Sequence, residues 1–291
     1  MGELLPARKH VEGAIPLYDR ERHRLLTFRY GGAHAGTTCL LLAAATLWRL
    51  GYPDQAVKRE NEALAFAQGL SHPLSLAFTE FFVAILRQSR REARAAQAAA
   101  EGVIALCVEH GFPGWLAMAT SVRGWAMAER GCNEEEGIAQ IEEGLAAAHT
   151  TGAGLWRPHL LCLLAEAYGK ADRLDGGLRA LAEALAAAEE NENRVYQSEI
   201  HRLKGELLLK QDDSNATEAH GCFQRAIEIA RKQSAKLLEL RAVTSLARLH
   251  AKQGHREQAR AMLAEIYGWF TEGFDTADLK DAKALLEDLS S

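Results

Sequence analysis

Residues 205–226 read GELLLKQDDSNATEAHGCFQRA, and this stretch decides the fold class. Gly205 lies on a predicted helix, a polar segment follows at 211–217, and Ala219 and Ala226 then stand seven residues apart. Seven residues make two helical turns, so the two alanines share one face, where the lack of side-chain bulk lets a neighbouring helix approach closely. The stretch therefore predicts two helices joined by a loop.

The same spacing of small residues recurs along the chain at steps of 37 to 49 residues. Thirteen of the fourteen positions are Ala or Gly: Ala7/Ala14, Ala56/Ala63, Ala93/Ala100, Gly137/Gly144, Gly177/Ala184, Ala219/Ala226 and Ala259/Ile266. A period of this length fits one pair of antiparallel helices per unit. It predicts an all-α fold, a right-handed α-solenoid of about six helix pairs with an N-terminal half repeat and a C-terminal capping helix.

The ends of the chain extend this prediction to a single superhelical domain over residues 1–291. Residues 1–36 are expected to form a partial repeat and a loop, as if the chain began mid-repeat. Residues 37–270 hold the repeats. Residues 271–291 form the cap, with Thr276 placed to begin a helix whose outer face is polar.

Residues around the small pairs resemble the tetratricopeptide repeat (TPR). Tyr168 and Asp172 precede Gly177 as the first helix and turn of a repeat should, and Phe223 follows Ala219 by four residues. The resemblance covers residues 1–270, although the period exceeds the usual 34 residues of the family.

Longer stretches resemble a particular group of repeat arrays. These stretches are LGYPDQA at 50–56, LAEAYGK at 164–170 and above all GWFTEGFDTADL at 268–279. They are similar to the C-terminal region of large bacterial signalling proteins, which carry a class III adenylate or guanylate cyclase domain or another output domain, then a STAND-type predicted ATPase. The resemblance implies a cytoplasmic regulatory array rather than the catalytic part of such a protein.

The net charge, the length of the apolar runs and the positions of the cysteines limit the expected partners and the cellular compartment. The formal net charge is -5, so neither nucleic acid nor an anionic membrane surface is an expected partner. The longest largely apolar run, 39–48, is about half the length that spans a bilayer. The five cysteines are scattered and never form C-x-x-C, which favours a reducing cytoplasm.

No catalytic residue, cofactor or metal ligand is predicted. The glycine-bounded segment 31–38 resembles a phosphate-binding loop but lacks its lysine, and no two histidines are spaced i, i+4 to hold zinc on a helix. The basic cluster Arg87, Arg90, Arg91 and Arg94 is interpreted as a solvated turn.

The candidate binding surface is the inner groove, which the first helix of each repeat lines in TPR arrays. Among the side chains that the repeat register directs into it, ten are the candidate partner-binding residues: Trp48, Arg49, Phe82, Trp125, Glu166, Lys170, Arg202, Glu206, Arg241 and Arg248. Aromatic side chains dominate its N-terminal half, where they could anchor an apolar segment. Arg and Glu dominate the C-terminal half, where they could bind charged or hydroxyl groups.

These observations leave two functional interpretations, and an enzyme is the least supported alternative. The first is a protein-interaction or regulatory module that receives a peptide, a partner domain, an upstream domain of the parent protein or a second copy of itself. The alternative is a sensor that holds a small molecule, sugar-like or an anionic metabolite, in the lumen of the superhelix.

Overall fold

The computed structural model describes residues 2–19, 23, 32–131, 133–150 and 154–290. In these residues it contains fourteen α-helices and no strand. The helices are α1 Leu4–Ala14, α2 Ala35–Leu50, α3 Pro53–Gln68, α4 Pro73–Ser89, α5 Ala93–His110, α6 Pro113–Glu129, α7 Glu134–Thr150, α8 Arg157–Lys170, α9 Leu174–Glu190, α10 Gln197–Gln211, α11 Ala216–Gln233, α12 Lys236–Lys252, α13 Arg256–Tyr267 and α14 Ala277–Ser290. Helices α2 to α13 form six consecutive pairs, as the repeat predicts.

The chain divides into two compact units. The N-terminal unit spans residues 4–48 and 53–154 and contains α1, most of α2 and α3 to α7. The C-terminal unit contains α8 to α14, together with residues 2–3 and Arg49–Tyr52. The single domain predicted over 1–291 stays a prediction.

In the N-terminal unit each helix from α3 to α7 packs against the next. In the C-terminal unit each helix from α8 to α13 packs against the next, and the first helices of successive pairs, α8, α10 and α12, also pack side by side, with α14 beside α12. Since the connections are only a few residues long, neighbouring helices run antiparallel. The first helices therefore form a continuous face, which we call the first-helix face.

The small-residue positions lie in the helix packing, as predicted. From Ala56 onward every one of them except Ala93 is buried, whereas Ala7 and Ala14 on α1 are half-exposed. A Cβ added at Gly137 would lie 2.5 Å from the carbonyl oxygen of Gly124 on α6. The backbones of α6 and α7 thus meet directly, which only glycine permits.

Left-handed backbone conformations mark the turns between helices at nearly regular intervals. They occur at Gly51, Ser71, Arg91, Gly111 and Gly131, and again at Asp172, Glu192, Ser234 and Gly254. Five of these turns have a positive φ without a glycine to relieve the strain, at Ser71, Arg91, Asp172, Glu192 and Ser234. In six of these turns the amide of the left-handed residue donates to a carbonyl of the preceding helix and so caps it: Arg91, Gly111, Gly131, Glu192, Ser234 and Gly254.

The basic cluster at 87–94 is a solvated turn only in part, because Arg91 and Arg94 are exposed there but Arg90 is not. Arg90 is buried, and its Nη1 donates to Oε2 of the equally buried Glu60 on α3 at 2.5 Å, while its Nε donates to Oε1 of Glu92 at 3.0 Å. Arg87 adds a contact to Glu60 at 3.5 Å. The sequence interpretation was wrong for Arg90 because its carboxylate partner Glu60 lies on another helix, thirty residues earlier.

Local details of the loops follow the sequence predictions more closely. Helix α10 ends at Gln211 and α11 begins at Ala216, with a single 3-10 turn between them. Helix α14 begins directly after Thr276, whose hydroxyl donates to the carbonyl of Gly273 at 2.7 Å. No helix in the described part of the chain is long and apolar enough to cross a membrane.

Candidate functional site

The first-helix face of the C-terminal unit carries a network of charged side chains. Glu166 and Lys170 lie on α8, Arg202 and Glu206 on α10, and Arg241 and Arg248 on α12. All six were predicted groove residues. The helical register places them on one side of three consecutive first helices, which pack side by side.

Arg202 lies at the centre of this network. Its Nε and Nη2 donate to the two carboxylate oxygens of Glu199 at 3.0 and 2.6 Å, and its Nη1 donates to Oε1 of Glu206 at 3.2 Å. A two-pronged pair of this kind fixes the guanidinium in orientation as well as position. Arg202 is therefore already engaged by its own helix.

Arg241 joins three helices. Its Nε and Nη2 donate to Oδ2 of Asp278 on α14 at 3.0 and 2.8 Å, and its Nη1 lies 3.5 Å from Oε1 of Glu199 on α10. Asp278 belongs to the 268–279 motif, and the loop that ends at Thr276 places it in the first turn of α14. The motif thus supplies the acid that fastens the cap to the repeat before it.

Ser245 completes the network, and sequence analysis missed it. Its hydroxyl on α12 donates to Oε1 of Glu206 on α10 at 2.5 Å. Ser245 is buried and sits one helical turn after Arg241, so the same face of α12 meets α10 at two points. A serine between Thr244 and Leu246 gives no charge signal that could have singled it out.

Burial and charge act in opposite directions on the two arginines. Burial by itself lowers the pKa of Arg202, but the charge and hydrogen bonds of Glu199 and the charges of Glu206 and Glu166 raise it further than burial lowers it. Asp278 and Glu199 raise the pKa of Arg241 in the same way. Both guanidiniums are therefore permanently charged, and each is neutralised by carboxylates rather than offered to an anionic ligand.

The exposure of the network increases toward its rim. The side chains of Arg202 and Arg241 are only 14% and 12% exposed, whereas those of Glu206 and Arg248 are 41% and 51% exposed. Lys170 is also exposed. The buried Arg241 joins three helices, and the outer carboxylate and cations are the groups that a partner could reach.

Arg49 lies against an aromatic cluster of the same unit. Its guanidinium is 5.8 Å from the ring centroid of Tyr196 and hydrogen-bonds that residue. The Tyr196 ring is in turn 5.2 Å from His159, a buried side chain on α8 whose Nε2 has no hydrogen-bond partner in the described residues. Burial, and then the charge of Arg49, lower the pKa of His159 to about 3.

The predicted aromatic anchors of the N-terminal unit are buried. Trp48 and Trp125 are only 3% and 2% exposed, and Phe82 is 9% exposed and packs its ring 4.7 Å from that of Phe78. A side chain at this depth contacts other helices, so a partner could reach it only after rearrangement. We therefore leave these three out of the proposed binding surface.

Chemistry-bearing groups in the described residues do not assemble into a reactive centre. Burial raises the pKa of Cys162, and the nearby Glu199 and Glu166 raise it further, so its thiol is a poor nucleophile. The hydroxyls of Thr37 and Thr38 both donate to the carbonyl of His34 at the start of α2, while Gly31 lies outside the described residues. Within the described part of the chain, no three His, Cys, Asp or Glu side chains are placed so that they could hold a metal ion.

Comparison with known proteins supports the fold. No protein family model matches the chain. An uncharacterized protein of Rhizobium meliloti is 24% identical over 239 residues, which are 82% of this chain but only 23% of that protein.

Solved structures with similar folds include a Rap protein in complex with competence and sporulation factor. It has a TM-score of 0.57 and 15% identity, covering 99% of this chain and 79% of its own. The apo form of RapI has a TM-score of 0.50 and 11% identity, covering 86% and 95%. Aspartyl phosphate phosphatase F from Bacillus subtilis has a TM-score of 0.50 and 10% identity, covering 94% and 72%. At these identities the likeness shows the fold alone, a TPR-like α-solenoid.

Proposed function

We propose that this chain is a non-catalytic interaction module that binds a protein or peptide partner on the first-helix face of its C-terminal unit. The observation that carries the proposal is that the exposure of the charged side chains increases across that face. Arg202 and Arg241 are neutralised by carboxylates, and Arg241 joins α10, α12 and α14, while Glu206 and Arg248 remain accessible beside them. A rigid scaffold with charged groups of both signs at its rim suits a partner of complementary charge pattern.

The module belongs, in this proposal, to a larger bacterial signalling protein with a cyclase or STAND ATPase domain and acts in the cytoplasm. The resemblance of 268–279 to the repeat region of such proteins supports this. The Rhizobium meliloti relative fits as well, because the matched region is less than a quarter of its length. The partner is then an upstream domain of the parent protein, a second copy or a separate protein.

The test compares two charge-reversed variants of the full chain. Glu206→Lys with Arg248→Glu changes the first-helix face, whereas Arg225→Glu with Glu228→Lys changes an exposed ion pair on the second helix α11 and serves as the control. Each variant is immobilised, and proteins recovered from a bacterial lysate are quantified by mass spectrometry against the unmodified chain.

A partner lost only from the first-helix variant supports the proposal. A partner retained by that variant but lost from the α11 variant would contradict it, because the outer helices would then form the binding surface. Native mass spectrometry of the same samples covers the alternative: a small molecule retained by the unmodified chain, with no protein partner, would identify a small-molecule sensor.

A further inference from the structure

A cavity of about 310 Å³ lies in the C-terminal unit, where α11 and α13 end and α12 begins. It shares no residue with the charged network of the first-helix face, and its volume is that of a small-molecule site. Trp269, which belongs to the 268–279 motif, lines this cavity. The pairing of Asp278 with Arg241 explains the end of that motif but not its tryptophan. The cavity is therefore a second candidate site.

The polar part of the cavity is a buried carboxylate held between two cations. Glu239 on α12 is only 3% exposed, and its Oε1 accepts from Nε of Arg231 on α11 at 2.7 Å, while its Oε2 accepts from Nζ of Lys236 at 2.7 Å. A carboxylate paired on both oxygens fixes the position of its partners. Arg231 uses only Nε for this contact, and its two terminal nitrogens have no partner among the described residues. Since 59% of the Arg231 side chain is exposed, a ligand can reach them.

The other lining side chains are apolar except for one. Met262 and Ile266 lie one helical turn apart on α13, and Trp269 follows that helix with 37% of its surface exposed. Nζ of Lys236 is 5.8 Å from the centroid of the Trp269 ring, so the indole stands beside the cations. The exception is Glu265, an exposed carboxylate on the same turn of α13.

The balance of charge around the cavity limits the kind of ligand that fits. Two cations and two carboxylates line it, so it favours neither a multiply charged anion, such as a nucleotide, nor a polycation. A ligand that pairs with both Arg231 and Glu265 carries an acidic and a basic group. The apolar side chains beside them suit an apolar body.

We propose that this cavity binds an apolar zwitterion, the chemistry of a free amino acid with an apolar side chain or of a short apolar peptide. The ligand carboxylate accepts from the terminal nitrogens of Arg231, and its ammonium group donates to Glu265. Its apolar part packs against Met262, Ile266 and Trp269. The chain thus carries a small-molecule site in addition to the partner surface on its first-helix face.

Isothermal titration calorimetry of the full chain with L-leucine, L-phenylalanine and the dipeptide leucyl-leucine tests the proposal. We expect binding at one site, and tighter binding of an amino acid or of the dipeptide identifies which of the two sources fits. Arg231→Gln and Glu265→Gln should each weaken that binding at least about tenfold, because each removes a charged hydrogen bond. Both residues are exposed, and Glu239 keeps Lys236 as its partner, so the variants should fold.

Matched controls separate the cavity from the rest of the same helices. Arg225→Gln on α11 and Glu257→Gln on α13 change exposed residues outside the cavity and should bind like the unmodified chain. Glycine and glycylglycine carry both charges without an apolar side chain and should not bind measurably. N-acetylated and amidated forms of the bound ligand, which each lack one charge, should bind at least about tenfold more weakly.

Three results would overturn the proposal. The first is a lack of measurable binding of all three ligands by the unmodified chain. The second is equal binding by the cavity variants and their controls. The third is a blocked form, glycine or glycylglycine that binds as tightly as the apolar zwitterion, because the cavity would then not recognise both charges and the apolar body together.

Discussion

Gly137 shows how one missing methyl group sets the distance between two helices. We expect Gly137→Ala to destabilise the chain by about 1–3 kcal/mol, because the new Cβ would lie 2.5 Å from the carbonyl oxygen of Gly124, and backbone cannot move aside as a flexible side chain can. Gly221→Ala on α11 is the matched control. No atom lies within 4 Å of its added methyl, so better helix propensity should raise stability by up to about 1 kcal/mol.

Urea unfolding monitored by circular dichroism measures both changes. Equal effects of the two substitutions would contradict direct backbone contact between α6 and α7.

His159 gives stability a dependence on pH. Its pKa is about 3 in the folded chain against 6.5 as the ordinary value, so unfolding between these values takes up a proton. The contribution is fully present above about pH 6.5 and is lost as the pH falls toward 3, at up to about 1.4 kcal/mol per pH unit. We expect His159→Gln to flatten the fall in unfolding free energy between pH 6.5 and 4.5.

The slope, rather than the absolute stability, is the readout, since His201 and His250 also have lowered pKa values and remain in the variant. His10→Gln, at an exposed position, is the control and should keep the slope of the unmodified chain. Unfolding curves measured at several pH values decide the matter. Identical slopes for both variants would mean that His159 is protonated in the folded state.

At the level of helices, the left-handed turns decide where each element ends. Ser234 has φ 59° and Gly254 has φ 85°, and each ends a helix of the C-terminal unit. We expect Ser234→Gly to raise stability by up to about 1 kcal/mol, because glycine adopts this conformation without strain. Gly254→Ala should lower it by about 1 kcal/mol through φ alone, since no atom lies within 4 Å of the added methyl.

Thermal melts of the two variants provide the measurement. A loss of stability in Ser234→Gly would show that the entropy of the unfolded glycine outweighs the relief of strain.

More of the helical structure than of the candidate site could be predicted from the sequence. Spacing of small residues identifies which side of a helix packs, and this holds for Ala226 and Gly137 alike because helix geometry alone determines it. Which side chain a charged residue pairs with depends on the neighbouring helix. The pairing of Arg241 with Asp278 and the burial of Arg90 against Glu60 require the register between helices, which no local pattern encodes. Likewise, the repeat register indicates the side of Trp125 but not its depth.

For the whole molecule, the single domain predicted from the sequence implies one unfolding transition. The chain forms two compact units, yet α2 contributes most of its length to one and its last two residues to the other. Since helix formation is cooperative, melting the body of α2 should also remove its end. We expect calorimetry to show one transition, which Gly137→Ala and Arg241→Ala both shift downward. Two transitions, each shifted by only one substitution, would contradict the single domain.

The chain of ion pairs through Arg241 has a consequence for how related sequences can diverge. A buried charge left without its partner costs several kcal/mol, a large part of the net stability of a typical domain. Substitution of Glu199, Arg241 or Asp278 alone should therefore destabilise the protein. In a set of descendants they should be inherited together or exchanged together for apolar residues, whereas Arg248 at the rim can vary with the partner. The pattern of joint replacement would record the cap and the repeat before it as one evolutionary unit.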